Sequence, residues 1–156
     1  MRVVGGDRQV AVALTSFNAL LAYVLHAEVA ARPILGSWAA LLDYLRAMMA
    51  FKSTEQVRVL HLNTRNVLMR DEVMNEGSID EAAVHVRDVL RRALEIGSAS
   101  IILVHNHPSG DPTPSQADIQ VTRRLDEGGA RVGILLLDHV IVTAGGHSSL
   151  RTMGLL

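Results

Sequence analysis

The sequence predicts an α/β protein, a mixed β-sheet flanked by helices in a layered sandwich. Two observations carry that prediction. Apolar residues recur at helical spacing in some segments and at alternating spacing in others, and the two kinds of segment interleave along the chain. One segment, Ala99 to Val104, is a near-continuous apolar run, as a central strand covered on both faces requires.

Taken in order, Leu14 to Ala31 places Leu20, Leu21, Val24 and Leu25 at helical spacing after a capping residue at Thr15 or Ser16. It reads as an amphipathic helix, a remnant or docking element ahead of the main domain. Arg32-Pro33 and Gly36 break it, and Ser37 can cap a second helix, Trp38 to Phe51, with Leu41, Leu42, Leu45, Met48 and Met49 on its apolar face. From Gln56 the period changes to two, so Val57 to Leu62, a polar turn at Asn63 to Asn66, and Val67 to Met74 form a hairpin. A helix starting at Asp80 or Glu81 carries Val86, Val89, Leu90, Ala93 and Leu94 on one face and ends at Gly97. After the Ala99 to Val104 strand, Ser115 opens a further helix that stops at Gly128-Gly129. Two last apolar runs, Val132 to Leu137 and Val140 to Val142, bracket Asp138-His139. The expected organisation is a short helical extension over residues 1–33 and one domain over 34–156.

Composition narrows the function. The chain has 156 residues, 49% hydrophobic and 20% charged, as an ordinary globular domain with a core does. A net charge of -1 gives no general pull toward nucleic acid or an anionic membrane. With no cysteine, thiol nucleophiles, disulfides and Cys-based zinc sites are excluded, so any metal must be held by His and carboxylate. The Leu14 to Ala31 stretch is interrupted by Asn18, His26 and Glu28 and lacks the lead-in of a signal peptide. A cytoplasmic protein is the expectation.

The chemistry concentrates between His105 and Asp118. Two histidines at i and i+2 on a strand end project from one face with Cα atoms roughly 6.5 to 7 Å apart, so their rings can converge on one ion. A catalytic zinc takes three protein ligands and keeps a fourth position open. Asp118, in the first turn of the next helix after a loop stiffened by Pro108, Pro112 and Pro114, can be the third. Ser115 can donate a hydrogen bond to whatever fills the fourth. Taken alone, Ser115-x-x-Asp118 is a capping box, a structural signature. The joint pattern of four residues at these spacings arises by chance roughly once per million positions, which favours the metal. A proton carrier is also needed, and spacing leaves Asp71, Glu72 and Glu76 as near-equal candidates.

His105-x-His107, seven residues, Ser115, two residues and Asp118 is similar to the motif of the JAMM (MPN+) metalloprotease superfamily. With Val59 to Asn63, Glu72 to Ser78, Ala93 to Glu95, Ile101 to Asp118 and Leu137 to Val142, the chain from about Ser37 to Leu156 resembles the bacterial RadC family. The resemblance implies a cytidine-deaminase-like layered fold and one Zn2+ held by His105, His107 and Asp118. It also implies hydrolysis of a peptide or isopeptide bond, with Glu72 shuttling the proton of a zinc-held water and Ser115 stabilising the oxyanion. It implies a peptide or protein substrate, and leaves the oligomeric state open, a homodimer included. The chain departs from the family at Ser78, Val86, Asp88, Leu150 and Thr152, and its first 33 residues lack a Gly-rich helix-hairpin-helix, so DNA binding by that route is poorly supported. The competing reading is a catalytically silent, metal-containing interaction module. Nucleobase deamination is set aside because its zinc site requires cysteines.

His85 and Arg87 are candidates for a substrate groove or a solvated helix start. Asp138-His139 reads as structural hydrogen bonding, His26 and His61 as incidental, and Arg91-Arg92 and Arg123-Arg124 as solvated helix faces.

Overall fold

A computed structural model describes residues 8–30, 33–77 and 84–156. Its elements are α1 (Arg8–Ala30), α2 (Trp38–Met49), β1 (Glu55–Leu62), β2 (Leu68–Gly77), α3 (Val86–Ile96), β3 (Ser100–Asn106), α4 (Gln116–Arg131), β4 (Leu135–Val142) and β5 (His147–Ser149). The strands form one sheet in the order β2-β1-β3-β4-β5, antiparallel except for the parallel β3·β4 pair that α4 connects. The predicted mixed sheet between helices is therefore the observed one.

Two apolar layers hold the sandwich together. On one face Leu60, Leu62, Ile102, Val104, Val140 and Val142 pack against Leu41, Leu45 and Met49 of α2. On the other, Val57, Val59, Ile101, Leu103 and Leu136 pack against Val89 and Ala93 of α3 and Leu125 of α4. Every residue of β3 is buried, which explains why this strand reads as a continuous run rather than an alternating one. The hairpin turn forms where expected: Asn63 Oδ1 accepts from the backbone N–H of Arg65 (2.9 Å) and Val67 (3.1 Å), and Asn66 takes φ 57°.

The first helix departs from expectation. It already runs at Arg8, so Thr15 is not a cap; its hydroxyl bonds back to Ala11 O at 2.9 Å within the helix. The expected apolar face is not covered: Leu20 is 62% and Val24 54% exposed, and only the C-terminal end docks, through Leu25 and Val29, on the α2 layer. By length and composition α1 is apolar enough to cross a membrane, with mean hydropathy 1.7 over its most apolar window. Ser37 gives α2 no side-chain cap, because its hydroxyl donates to Pro33 O (3.1 Å), and α2 ends at Met49 rather than Phe51. The expected helix start at Asp80 or Glu81 lies outside the described residues.

Two further corrections concern glycine and strand period. α4 continues through Gly128-Gly129 to Arg131 instead of stopping there. These glycines are close-contact positions: a Cβ on Gly129 would lie 2.5 Å from Ile134 O, and one on Gly128 2.9 Å from Leu90 Cδ1. The two apolar runs after α4 merge into one strand, β4, with Asp138-His139 inside it. Ile101 pairs with Leu136 while Ile102 pairs with Asp138, so Leu137 is an extra residue that shifts the phase of the strand.

Gly129→Ala is expected to lower unfolding free energy by about 1–3 kcal/mol, since a backbone oxygen cannot move aside as a side chain does. Gly128→Ala should stay within about 1 kcal/mol of the parent, because Leu90 can turn away and alanine favours the helix. Urea unfolding of the two variants measures the contrast, and equal losses would contradict it.

Candidate metal centre

The site sits where the parallel pair ends and α4 begins, the place where open α/β sheets leave a crevice. His105 pairs with Val57 on one side and Ile141 on the other, so the β-ladder fixes its ring on the face covered by α3 and α4. His107, two residues on, keeps the same side and is anchored by its N–H to Val142 O (3.1 Å). The loop then turns through Gly110 at φ 88°, a left-handed conformation glycine adopts without strain. α4 opens with a complete capping box. Ser115 N–H and Oγ–H donate to Asp118 Oδ2 (2.7 and 2.6 Å), and Asp118 N–H donates to Ser115 Oγ (3.2 Å).

The capping and metal readings of Asp118 are compatible, because its two oxygens divide the tasks. While Oδ2 closes the cap, Oδ1 lies 3.3 Å from His105 Nε2. His107 Nε2 is 3.7 Å from Oδ2 and 2.8 Å from His105 Nε2. One ligand atom from each of the three residues falls within 4.8 Å of the others. His107 Nδ1 lies 2.8 Å from Asp111 O, a carbonyl that only accepts, so the proton of neutral His107 sits on Nδ1 and the Nε2 lone pair faces the centre. Burial, first of all, pushes His105 down to about 4, with His107 adding to the drop and Asp118 opposing it, so this ring is neutral near pH 7.

Such a donor set fits a cation. Nitrogen lone pairs and a carboxylate oxygen crowd one point, and a positive ion is what makes that crowding favourable. Ligands at about 2.0–2.1 Å in a tetrahedron stand about 3.3–3.4 Å apart, so His105 and Asp118 already have the spacing and the histidine pair has to open by roughly half an ångström.

Of the residues named from the sequence, the structure brings together His105, His107, Asp118 and, through Asp118, Ser115. It does not bring Glu72 into this group. Glu72 pairs with Val59, itself opposite Leu103, and Arg92 Nε and Nη2 donate to its carboxylate at 2.9 and 2.6 Å. That guanidinium holds Glu72 below the usual carboxylate range, against the smaller effect of burial. Ser115's hydroxyl proton is likewise directed at Asp118.

Glu55, Thr122 and Asn106 were not singled out. Glu55 opens β1, half-buried, and the β1·β3 register continued by two residues sets it across from His107. The chain on both sides of it is tied to the residue between the histidines: Asn106 Nδ2 donates to Thr54 O (3.0 Å), and Gln56 N–H donates to Asn106 Oδ1 (2.8 Å). The available signal was the hairpin itself, whose first residue had to lie near the end of a neighbouring strand. Thr122 and Asn106 had no sequence signal, and His139 had only its place between apolar runs.

The other candidates resolve as follows. His85 lines a cavity of about 230 Å³ with Met74, Asn75, Val84, Asp88 and Val89, between β2 and α3. Arg91 and Arg92 are paired with Asp88, Glu95 and Glu72 and form no free basic patch. His61 is buried; its Nδ1 meets Ser98 Oγ at 2.9 Å and its Nε2 faces Glu72 at 3.7 Å. The His26 ring meets Tyr44 edge-on, with centroids 5.5 Å apart.

A sheet between two helical layers, whose strand-end histidines meet a helix-start carboxylate, offers a donor set that could hold a metal ion. Residues 35–155 match the model of the RadC-like JAB domain, and the chain belongs to that family. A UPF0758 protein of Rhodobacter capsulatus is 49% identical over 125 residues, which are 80% of this chain and 58% of that protein. The chain thus spans somewhat over half the length of this curated relative.

Burial is the leading cause that lowers His61, His105 and His139 below their ordinary value. The unfolded chain takes up protons at these rings from about pH 6.5 downward, whereas the folded one resists. Stability of the metal-free protein is therefore fully present above about pH 6.5 and declines as pH falls toward about 4. Urea midpoints in chelator at about pH 7.5 and about pH 5 check the sign, and equal midpoints would refute it.

Proposed function

We propose that this protein is a zinc-dependent hydrolase that cuts a peptide or isopeptide bond, as the JAMM-type motif suggests. The observation that carries the reading is the convergence of His105 Nε2, His107 Nε2 and an Asp118 oxygen at one point, a donor set of nitrogen and oxygen that suits zinc. Three protein ligands would leave a coordination position for the reaction. Zinc, when bound, supplies Lewis acidity, which acidifies water and polarises a carbonyl.

The chain's own residues do the rest. A carboxylate must take the proton of the attacking water and pass it to the departing amine. By register, Glu55 is better placed for this than Glu72, which serves only if it leaves Arg92. Ser115 becomes a donor to the oxyanion once its hydroxyl turns from Asp118. The cavity beside Asn75 and His85 supports a substrate path along the β2 side, since Asn75 shares a rung with Val57 and His105. The proposed substrate is a peptide or protein, and the proposed location the cytoplasm.

A second reading has one observation behind it. Phe17, Leu20, Tyr23 and Val24 expose an apolar surface on α1 that suits association with another protein, so the domain would serve as a metal-containing interaction module. Its nucleic-acid form gains nothing from a net charge of -1.

The test is metal analysis followed by a peptide-library cleavage screen. One zinc per chain is expected, with cleavage abolished by chelator. Glu55→Gln should lower kcat by about 10²–10⁴-fold while metal content is kept, and Glu72→Gln should have a small effect. The reverse order would return the base to Glu72, and a zinc-loaded parent that cuts nothing would favour the interaction module.

A further inference from the structure

His105 reaches the metal position with one ring nitrogen, and the other is part of a buried chain of hydrogen bonds. His105 Nδ1 lies 2.8 Å from His139 Nε2, and His139 Nδ1 lies 2.6 Å from Thr122 Oγ1. Thr122 Oγ1 in turn lies 2.5 Å from Asp118 O. We propose that Thr122 and His139 are positioning residues that lock His105 in the tautomer whose Nε2 lone pair faces the metal position, so that the site is set before an ion arrives. The inference rests on the metal-centre reading above.

The direction of the chain follows from its far end. Asp118 O is a carbonyl and only accepts, so the single hydroxyl proton of Thr122 goes to it. Thr122 Oγ1 then has only lone pairs to offer His139, and His139 Nδ1 must carry a proton and donate. A neutral His139 has no proton left on Nε2, which accepts from His105 Nδ1–H. His105, also neutral, is left with a bare Nε2 2.8 Å from His107 Nε2. The two nitrogens of His139 bond a hydroxyl and an imidazole, neither of them a carboxylate, and the ring is 1% exposed, so nothing favours an imidazolium there. Reversing the chain would put a proton on His105 Nε2, between the two histidines, where no cation could then bind.

The fold places His139 for this by a specific device. Leu136 faces the α4 side, and strict alternation would put Asp138 there and turn His139 away. The extra residue at Leu137 inverts the phase, so His139 pairs with Leu103 and shares the face of His105. The bulge is held by its neighbours. Asp138 Oδ1 accepts from His139 N–H (2.7 Å) and Arg151 N–H (3.1 Å), and Ser149 Oγ donates to Asp138 Oδ2 (2.5 Å). The Arg151 guanidinium donates to the carbonyls of Leu136 (2.9 Å) and Leu137.

Long-range 1H–15N spectra of the 15N-histidine-labelled full chain, kept metal-free with chelator, read the tautomers directly. Nδ1 should be protonated and Nε2 bare in both His105 and His139; a proton on His105 Nε2 overturns the proposal. Zinc titration is the second measurement. Thr122→Val, which keeps the shape and removes the acceptor, should weaken zinc binding about 10–100-fold, while Thr122→Ser retains most of the affinity. Equal affinity of Thr122→Val and parent, with the His105 tautomer unchanged, overturns the relay. If Thr122→Val does not fold, the parent's nitrogen shifts decide. A parent that binds no zinc would defeat the metal reading and leave the relay to be judged on those same shifts.

Discussion

The confinement of three electron-pair donors to one point, between the end of a strand and the start of a helix, is the constraint on which the rest of this structure depends. Two imidazole nitrogens at 2.8 Å and a carboxylate oxygen at 3.3 Å repel unless something positive lies among them. A fold can hold that arrangement only where its backbone is already rigid. Here the rigidity comes from β3, buried along its whole length and bonded on both edges, and from an α4 whose first turn is closed by its own cap.

Much of this was legible in the sequence, for reasons that differ by element. β3 was visible because a strand covered on both faces cannot alternate, and the hairpin because Asn63 to Asn66 supplies the turn chemistry that two alternating runs need. The trio of candidate metal ligands was visible because a strand period of two and a helix start are local geometries that spacing encodes. What spacing does not encode is register. Glu72 and Glu55 both lie on the hairpin, and only the pairing of Val57 with His105 shows which of them runs beside the histidines.

The misreadings share one cause, the tertiary context that overrides a local signal. Gly128-Gly129 looks like a helix stop, yet the helix passes through both, and Gly129 is there because the Ile134 carbonyl leaves no room for a side chain. Asp138-His139 looks like a polar break between two runs, yet a bulge makes it part of one strand. The apolar residues of α1 look like a core face, yet only Val29 among them is buried, since the α2 layer meets just the end of that helix. In the first two cases the departure from the simple pattern lies against the elements that form the site.

Asp118 serves two masters, closing a helix start with one oxygen and facing His105 with the other. A relative that held no metal would still gain from an acidic side chain and a hydroxyl there to begin the helix. Finding that pair in a distant sequence is therefore poor evidence that the sequence holds a metal. The histidines have no part in starting a helix, so their presence or loss is the better guide to whether the metal-binding donor set is retained.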